Sequence, residues 1–171
     1  DIYKTNGDKL IEEANKLNME VLNVQSEQNL DEKTIKKKTS QLENQAQEKQ
    51  TQASGLYEKC NEIKFTIYKQ YIDEFWKTHE GEESQYLNAK LLEEQASDNY
   101  FQAVSYRVEA KKMEGYAKIE KLTEADNLEN QAIQRQISAL GTYHNIVVTS
   151  EETNQPENFP VETPVVEQTV F

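Results

Sequence analysis

Leu42-Glu43-Asn44-Gln45-Ala46 recurs 86 residues later as Leu128-Glu129-Asn130-Gln131-Ala132, and the likeness continues through Gln50/Gln136, Ala53/Ala139, Gly55/Gly141 and Tyr57/Tyr143. Nine of sixteen positions agree at that one offset, where ordinary residue frequencies give roughly one. A duplicated unit accounts for this better than shared helical composition.

Working outward from the first copy, Ile35, Leu42, Ala46, Ala53, Leu56, Cys60, Ile63 and Ile67 form one stripe, with Thr39 and Lys49 at the remaining seam positions. That periodicity predicts a helix from Asp31 to Thr78, about 70 Å long at the α-helical rise. Upstream, Leu10, Ala14, Leu17, Val21 and Val24 alternate spacings of four and three, which predicts a helix over 8–28. Thr5 with Asp8, and Asn29 with Glu32, are the expected caps. The first helix is too short to bury the second, so the far half of the second must meet something else.

Around the second copy, alanines stand at 89, 96, 103, 110 and 117, then resume one position out of phase at 125, 132 and 139. A small residue in every heptad lets neighbouring helix backbones approach closely. Gly115 lies beside the phase slip, and the repeat offset maps Asp31 onto Ala117. We therefore expect a third helix from about Glu83, a turn near 115–117, and a fourth helix to Val147; the alternative is one unbroken helix over 83–147. Lys9-Leu10-Ile11-Glu12-Glu13 resembles Lys90-Leu91-Leu92-Glu93-Glu94 at an offset of 81. The expected fold is all-α: two tandem antiparallel hairpins, 8–78 and 83–147, forming an elongated four-helix bundle or solenoid-like array. Residues 1–149 form the helical repeat domain.

Residues 150–171 change character. Glu151, Glu152, Pro156, Pro160 and Pro164 argue against helix, and Phe159, Val161, Val165, Val166, Val170 and Phe171 are spaced along an expected extended tail. Read one way it is a linker remnant; read the other, it docks on a partner or back on the bundle.

Composition narrows the function. The chain has 171 residues, 36% hydrophobic, with five Gly and three Pro, and a mean hydropathy of -0.92. A net charge of -12 offers no basic surface for nucleic acid or anionic lipid; Lys36-Lys37-Lys38 reads as a solvated helix face. The longest apolar run, Ile146-Val147-Val148, is far short of a membrane span, so a soluble chain without direct membrane insertion is expected. Beginning at Asp1, it is read as following a removed signal peptide or as part of a longer parent. Cys60, the single cysteine, shares the heptad phase of Ala46 and Ala53, which marks a buried small residue rather than a reactive thiol.

The catalytic inventory is poor. His79 and His144 are the only histidines and neither follows a Glu at i-3, so the Glu-x-x-His pairs of di-iron bundles are missing. The glycines are scattered at 7, 55, 81, 115 and 141, which provides no phosphate-cradling loop. Carboxylate pairs such as Glu93-Glu94 read as solvated helix faces. No catalytic, cofactor or metal site is expected.

Partner binding is expected at the aromatic run Phe65, Tyr68, Tyr71, Phe75 and Trp76, and along the tail at Phe159, Val161, Val165, Val166, Val170 and Phe171. The competing reading of the aromatics is that they pack against the following helix and close the bundle end.

The segment Ala125 to Tyr143, Ala-Asp-Asn-Leu-Glu-Asn-Gln-Ala-x-x-x-Gln-x-x-Ala-Leu-Gly-x-Tyr, resembles the helical-hairpin repeats of TPR-like cell-envelope proteins associated with type IX secretion and gliding motility. Leu42 to Tyr57 is a weaker copy, and the Trp-Leu-Gly and terminal Pro of ordinary TPR units are lacking. The resemblance implies a periplasmic or envelope-associated scaffold in a secretion or motility complex, with no catalytic residues to carry over. The leading expectation is a non-enzymatic scaffold or adaptor for protein partners. The alternative is a coiled-coil homo-oligomer with a chaperone- or adhesin-like role.

Overall fold

The computed structural model describes residues 2–79 and 86–153, with side chains through residue 148. Four helices follow in order: α1 (Ile2–Ser26), α2 (Glu32–Thr78), α3 (Leu87–Ala110) and α4 (Gly115–Thr153). Helix α1 packs on α2 and α3 packs on α4; α2 and α4 join the pairs. The all-α, two-hairpin reading holds among the described residues.

A small-residue stripe with a seven-residue interval builds each hairpin. Gly7, Ala14 and Val21 are buried on α1, and Thr39, Ala46, Ala53 and Cys60 on α2. In the second hairpin, Ala89, Ala96, Ala103 and Ala110 on α3 and Ala125, Ala132 and Ala139 on α4 are all at most 1% exposed. With no side chain beyond Cβ along the seam, the backbones approach closely and dispersion contacts replace a bulky core. At Gly7 even a Cβ is too much: it would lie 2.7 Å from the Tyr57 ring.

Several boundaries differ from expectation. Helix α1 begins six residues early, which places Thr5 and Asp8 inside it, where Asp8 accepts a hydrogen bond from the Tyr57 hydroxyl at 2.6 Å. The α2 cap is Asp31 rather than Asn29: its carboxylate accepts from the Thr34 amide at 2.9 Å and the Thr34 hydroxyl at 2.7 Å, satisfying amides the first turn leaves open. These bonds, first the Thr34 hydroxyl and then its amide, hold the Asp31 pKa below its ordinary value.

The third helix is broken at 111–114, just ahead of the expected turn. Ala110 is the last member of the α3 stripe, whereas Ala117 is exposed on α4. Gly115 opens α4 at φ 65, a conformation glycine adopts without the Cβ penalty other residues carry. Helix α4 then passes Val147 to Thr153, so Glu151 and Glu152, expected in the extended tail, are helical. The expected helix start near Glu83 and the tail from 154 onward lie outside the described residues.

The α2–α4 contact sets the shape. Gln47 donates to the Gly115 carbonyl at 3.1 Å, Asn61 to Glu129 at 3.0 Å, and the rings of Phe75 and Tyr143 lie 4.5 Å apart. Each pair is 68 residues apart, so the helices run parallel in a constant register. The duplication offset is 86, which leaves the second hairpin displaced by 18 residues, or about 27 Å along α2. The copies form a staggered array, and α2 belongs to both hairpins.

Candidate partner-binding site

The stagger brings the far half of α2 onto α3 and α4, where most of the aromatic run is consumed by packing. Tyr68, Ile72 and Phe75 join Tyr86, Ala89, Ala139 and Tyr143 in one core, with Trp76, Leu92, Leu140, Ile146 and Val147 packed against it. Trp76 meets Tyr143 edge-on at 5.6 Å, and Phe75 stacks on His79 at 4.0 Å. Phe65 stacks on Tyr100 at 4.3 Å. The edge-on arrangement of Trp76 and Tyr143 suits the ring quadrupoles. Tyr68 and Phe75 therefore lie inside the bundle rather than on a surface, and Phe65 and Trp76 are partly covered. Tyr71, beside Tyr68 on the edge of the same face of α2, stays 48% exposed.

One carboxylate sits within this aromatic end. Glu93 accepts a very short hydrogen bond from the Tyr143 hydroxyl and is also approached by Trp76 and Tyr68. Burial pushes its pKa up, and these donors together with Lys90 only partly offset that. The same burial, reinforced by Glu93, pushes the Tyr143 hydroxyl up. The Tyr68 hydroxyl is buried nearby without a well-formed hydrogen bond.

The sequence reading missed a second buried polar cluster, centred on Arg107, which is 4% exposed. Its Nε and Nη2 donate to the two oxygens of Glu129 at 2.7 and 2.9 Å, its Nη1 donates to Ser54 at 2.6 Å, and Nη2 also donates to Asp126. Ser54 donates onward to Asp126 at 3.1 Å, and Asn61 donates to Glu129 at 3.0 Å. Burial disfavours the Arg107 cation, but its bond to Glu129 and the surrounding carboxylates outweigh that and raise its pKa. At Asp126 burial wins over the Arg107 charge, and the carboxyl titrates above its usual range.

Sequence signals for this cluster were faint. Arg107 is one of two arginines among cations otherwise all lysine, and arginine is the cation suited to a bidentate buried pair. Chemically the cluster is a lock: the fork commits both Glu129 oxygens, and α2, α3 and α4 each contribute a member. Among the described residues, no group of three or more His, Cys, Asp or Glu side chains is arranged to hold a metal ion.

The open surface lies on the other side of the α2–α4 seam. Helix α1 covers the Thr39–Ala46–Ala53–Cys60 stripe, and the next position of that stripe, Ile67, is 60% exposed. There Ile67 and Tyr71 of α2 face Ile133, Ile137 and Leu140 of α4 across an apolar groove of about 560 Å³, flanked by Lys64 and His144. Of the expected partner-binding side chains, Tyr68 forms its floor and Tyr71 its wall; the tail residues lie outside the described structure.

No family model matches the chain, and no curated protein or solved structure is significantly similar to it. No described helix is long and apolar enough to cross a membrane.

Proposed function

We propose that this protein is a non-enzymatic helical scaffold that binds protein partners along the α2–α4 face. The observation that carries the reading is the groove: Ile67 and Ile137 are more than half exposed in a contiguous apolar surface on a chain of net charge -12. Contiguous apolar patches of this kind mark interaction surfaces more often than isolated exposed side chains do. The resemblance of Ala125–Tyr143 to envelope hairpin repeats supports a setting in a secretion or motility complex. The test is affinity isolation of the full chain from its own cells beside an Ile67→Glu/Ile137→Glu variant. The reading requires at least one stoichiometric partner that is lost with the variant; an unchanged partner set rejects it.

A second reading, a coiled-coil oligomer with a chaperone- or adhesin-like role, draws on Ile63 and Ile67, which are exposed along a helix longer than its partner α1. Light scattering separates the two: a concentration-independent monomer removes the oligomer, and a stable dimer dissolved by Ile67→Glu favours it.

A further inference from the structure

The geometry points to the chain's own tail as the occupant of the α2–α4 groove, with Phe159–Val165 lying along it antiparallel to α4. Three observations support this occupant independently of any partner's identity.

The first is reach. Helix α4 ends at Thr153, nine residues and about 13 Å beyond His144 at the near end of the groove. Six further residues extend up to about 20 Å, which returns Phe159 to the level of His144. From His144 to Ile133 the groove is about 16 Å long, and Phe159–Val165 in extended form spans about 20 Å.

The second is side-chain period. In an extended chain alternate residues share a face, so Phe159, Val161 and Val165 stand together, while Pro160, Glu162 and Pro164 stand on the other side. Two prolines in six residues disfavour a helical alternative. The tail thus offers one apolar edge to an apolar trough and keeps Glu162 towards water.

The third is charge. Residues 154–171 carry Glu157, Glu162 and Glu167 and no cation. On a strongly acidic protein, the described residues lining the groove include Lys64 and His144 and no carboxylate. An acidic, apolar segment meets less repulsion there than along helix faces dense in Glu, and tethering raises its effective concentration to the millimolar range for a short linker. Occupation by the tail makes the groove a latched surface that a partner must compete for.

The test uses the full chain with Cys60→Ala, so that introduced cysteines are the only thiols. Val161→Cys with Ile137→Cys probes the groove, and Val161→Cys with Leu91→Cys is the control, since Leu91 is exposed on α3 at nearly the level of Ile137, as the Asn99–Gln131 and Arg135–Gln95 contacts place it. Under mild oxidation the groove pair should close an intramolecular disulfide about tenfold faster than the control, as a docked segment's effective concentration requires. Adding Ile67→Glu should remove that advantage. Equal rates overturn the proposal, as does a groove pair that links two chains, which would assign the surface to a second copy. A measurement without substitutions guards against misfolded variants: a Glu-specific protease should cut after Glu162 about tenfold more slowly in the full chain than in a synthetic 154–171 peptide, because cleavage follows the undocked fraction. Equal cleavage rates also overturn it.

Discussion

The two copies of Leu-Glu-Asn-Gln-Ala are locally alike and differ in what lies against them. Glu43 is exposed on α2, whereas Glu129 is fully buried on α4 under the Arg107 fork. Tyr57 reaches across its hairpin to Asp8 and Tyr143 across its own to Glu93. Lys49 pairs with Glu13 at 2.6 Å, and its counterpart Arg135 reaches the Gln95 carbonyl at 3.4 Å. The cross-hairpin contacts have been kept while the outer face has diverged, because α2 lies over the second copy and no described helix lies over the first in the same way. Burial, not local sequence, decides what a repeated residue does.

The largest effect expected from that comparison is at the buried fork. Glu129→Ala should cost about 3–5 kcal/mol in chemical denaturation, since it leaves the Arg107 charge buried and short of its main partner. Glu43→Ala should stay within about 0.5 kcal/mol, as surface changes do. Equal costs would break the contrast between copies.

The glycines sharpen it next. Gly7→Ala should destabilise by about 1–3 kcal/mol through overpacking against Tyr57. Gly141→Ala meets nothing within 4 Å and should stabilise α4 by up to about 1 kcal/mol. Thermal melts of the two variants should therefore move in opposite directions.

The smallest effect is in pH dependence, and its sign differs between hairpins. Glu13 is held below the ordinary value of 4.5 by its hydrogen bond and charge pairing with Lys49. Its contribution is present above pH 4.5 and is lost as pH falls through its folded-state pKa. Glu93 is raised above 4.5 by burial, so its preference for the protonated form favours folding at acid pH and fades as pH rises through the range above 4.5. Relative to the parent chain, Glu93→Gln should thus gain melting temperature on going from pH 4 to pH 7, and Glu13→Gln should lose it. Parallel curves for the two variants would contradict this assignment.

The hairpins were legible because alanine at every seventh position both writes the helix period and identifies the seam. The first-arm alignment was less secure: Gly7, Ala14 and Val21 correspond in buried phase to Ala89, Ala96 and Ala103, an offset of 82 rather than 81. A match of surface-rich residues such as Lys-Leu-x-Glu-Glu slips by one more easily than a buried stripe. The Arg107 cluster was hidden because Glu129 is spelled like exposed Glu43 and its partners come from α2 and α3, 22 to 68 residues away. The stagger was hidden too, since a duplication offset records descent and not docking register. The aromatic run was visible, but which of its faces stayed open depended on where α3 and α4 lay.

Sharing α2 between the hairpins also bears on how this protein can be divided. A duplicated gene can ordinarily be cut back to one copy, each half keeping its own interior. Here a fragment ending at His79 would carry Tyr68, Ile72 and Phe75 with nothing against them, and a fragment starting at Tyr86 would expose the buried charges of Arg107 and Glu129. The ancestral boundary has ceased to be a domain boundary, and the two copies are expected to melt together in one transition.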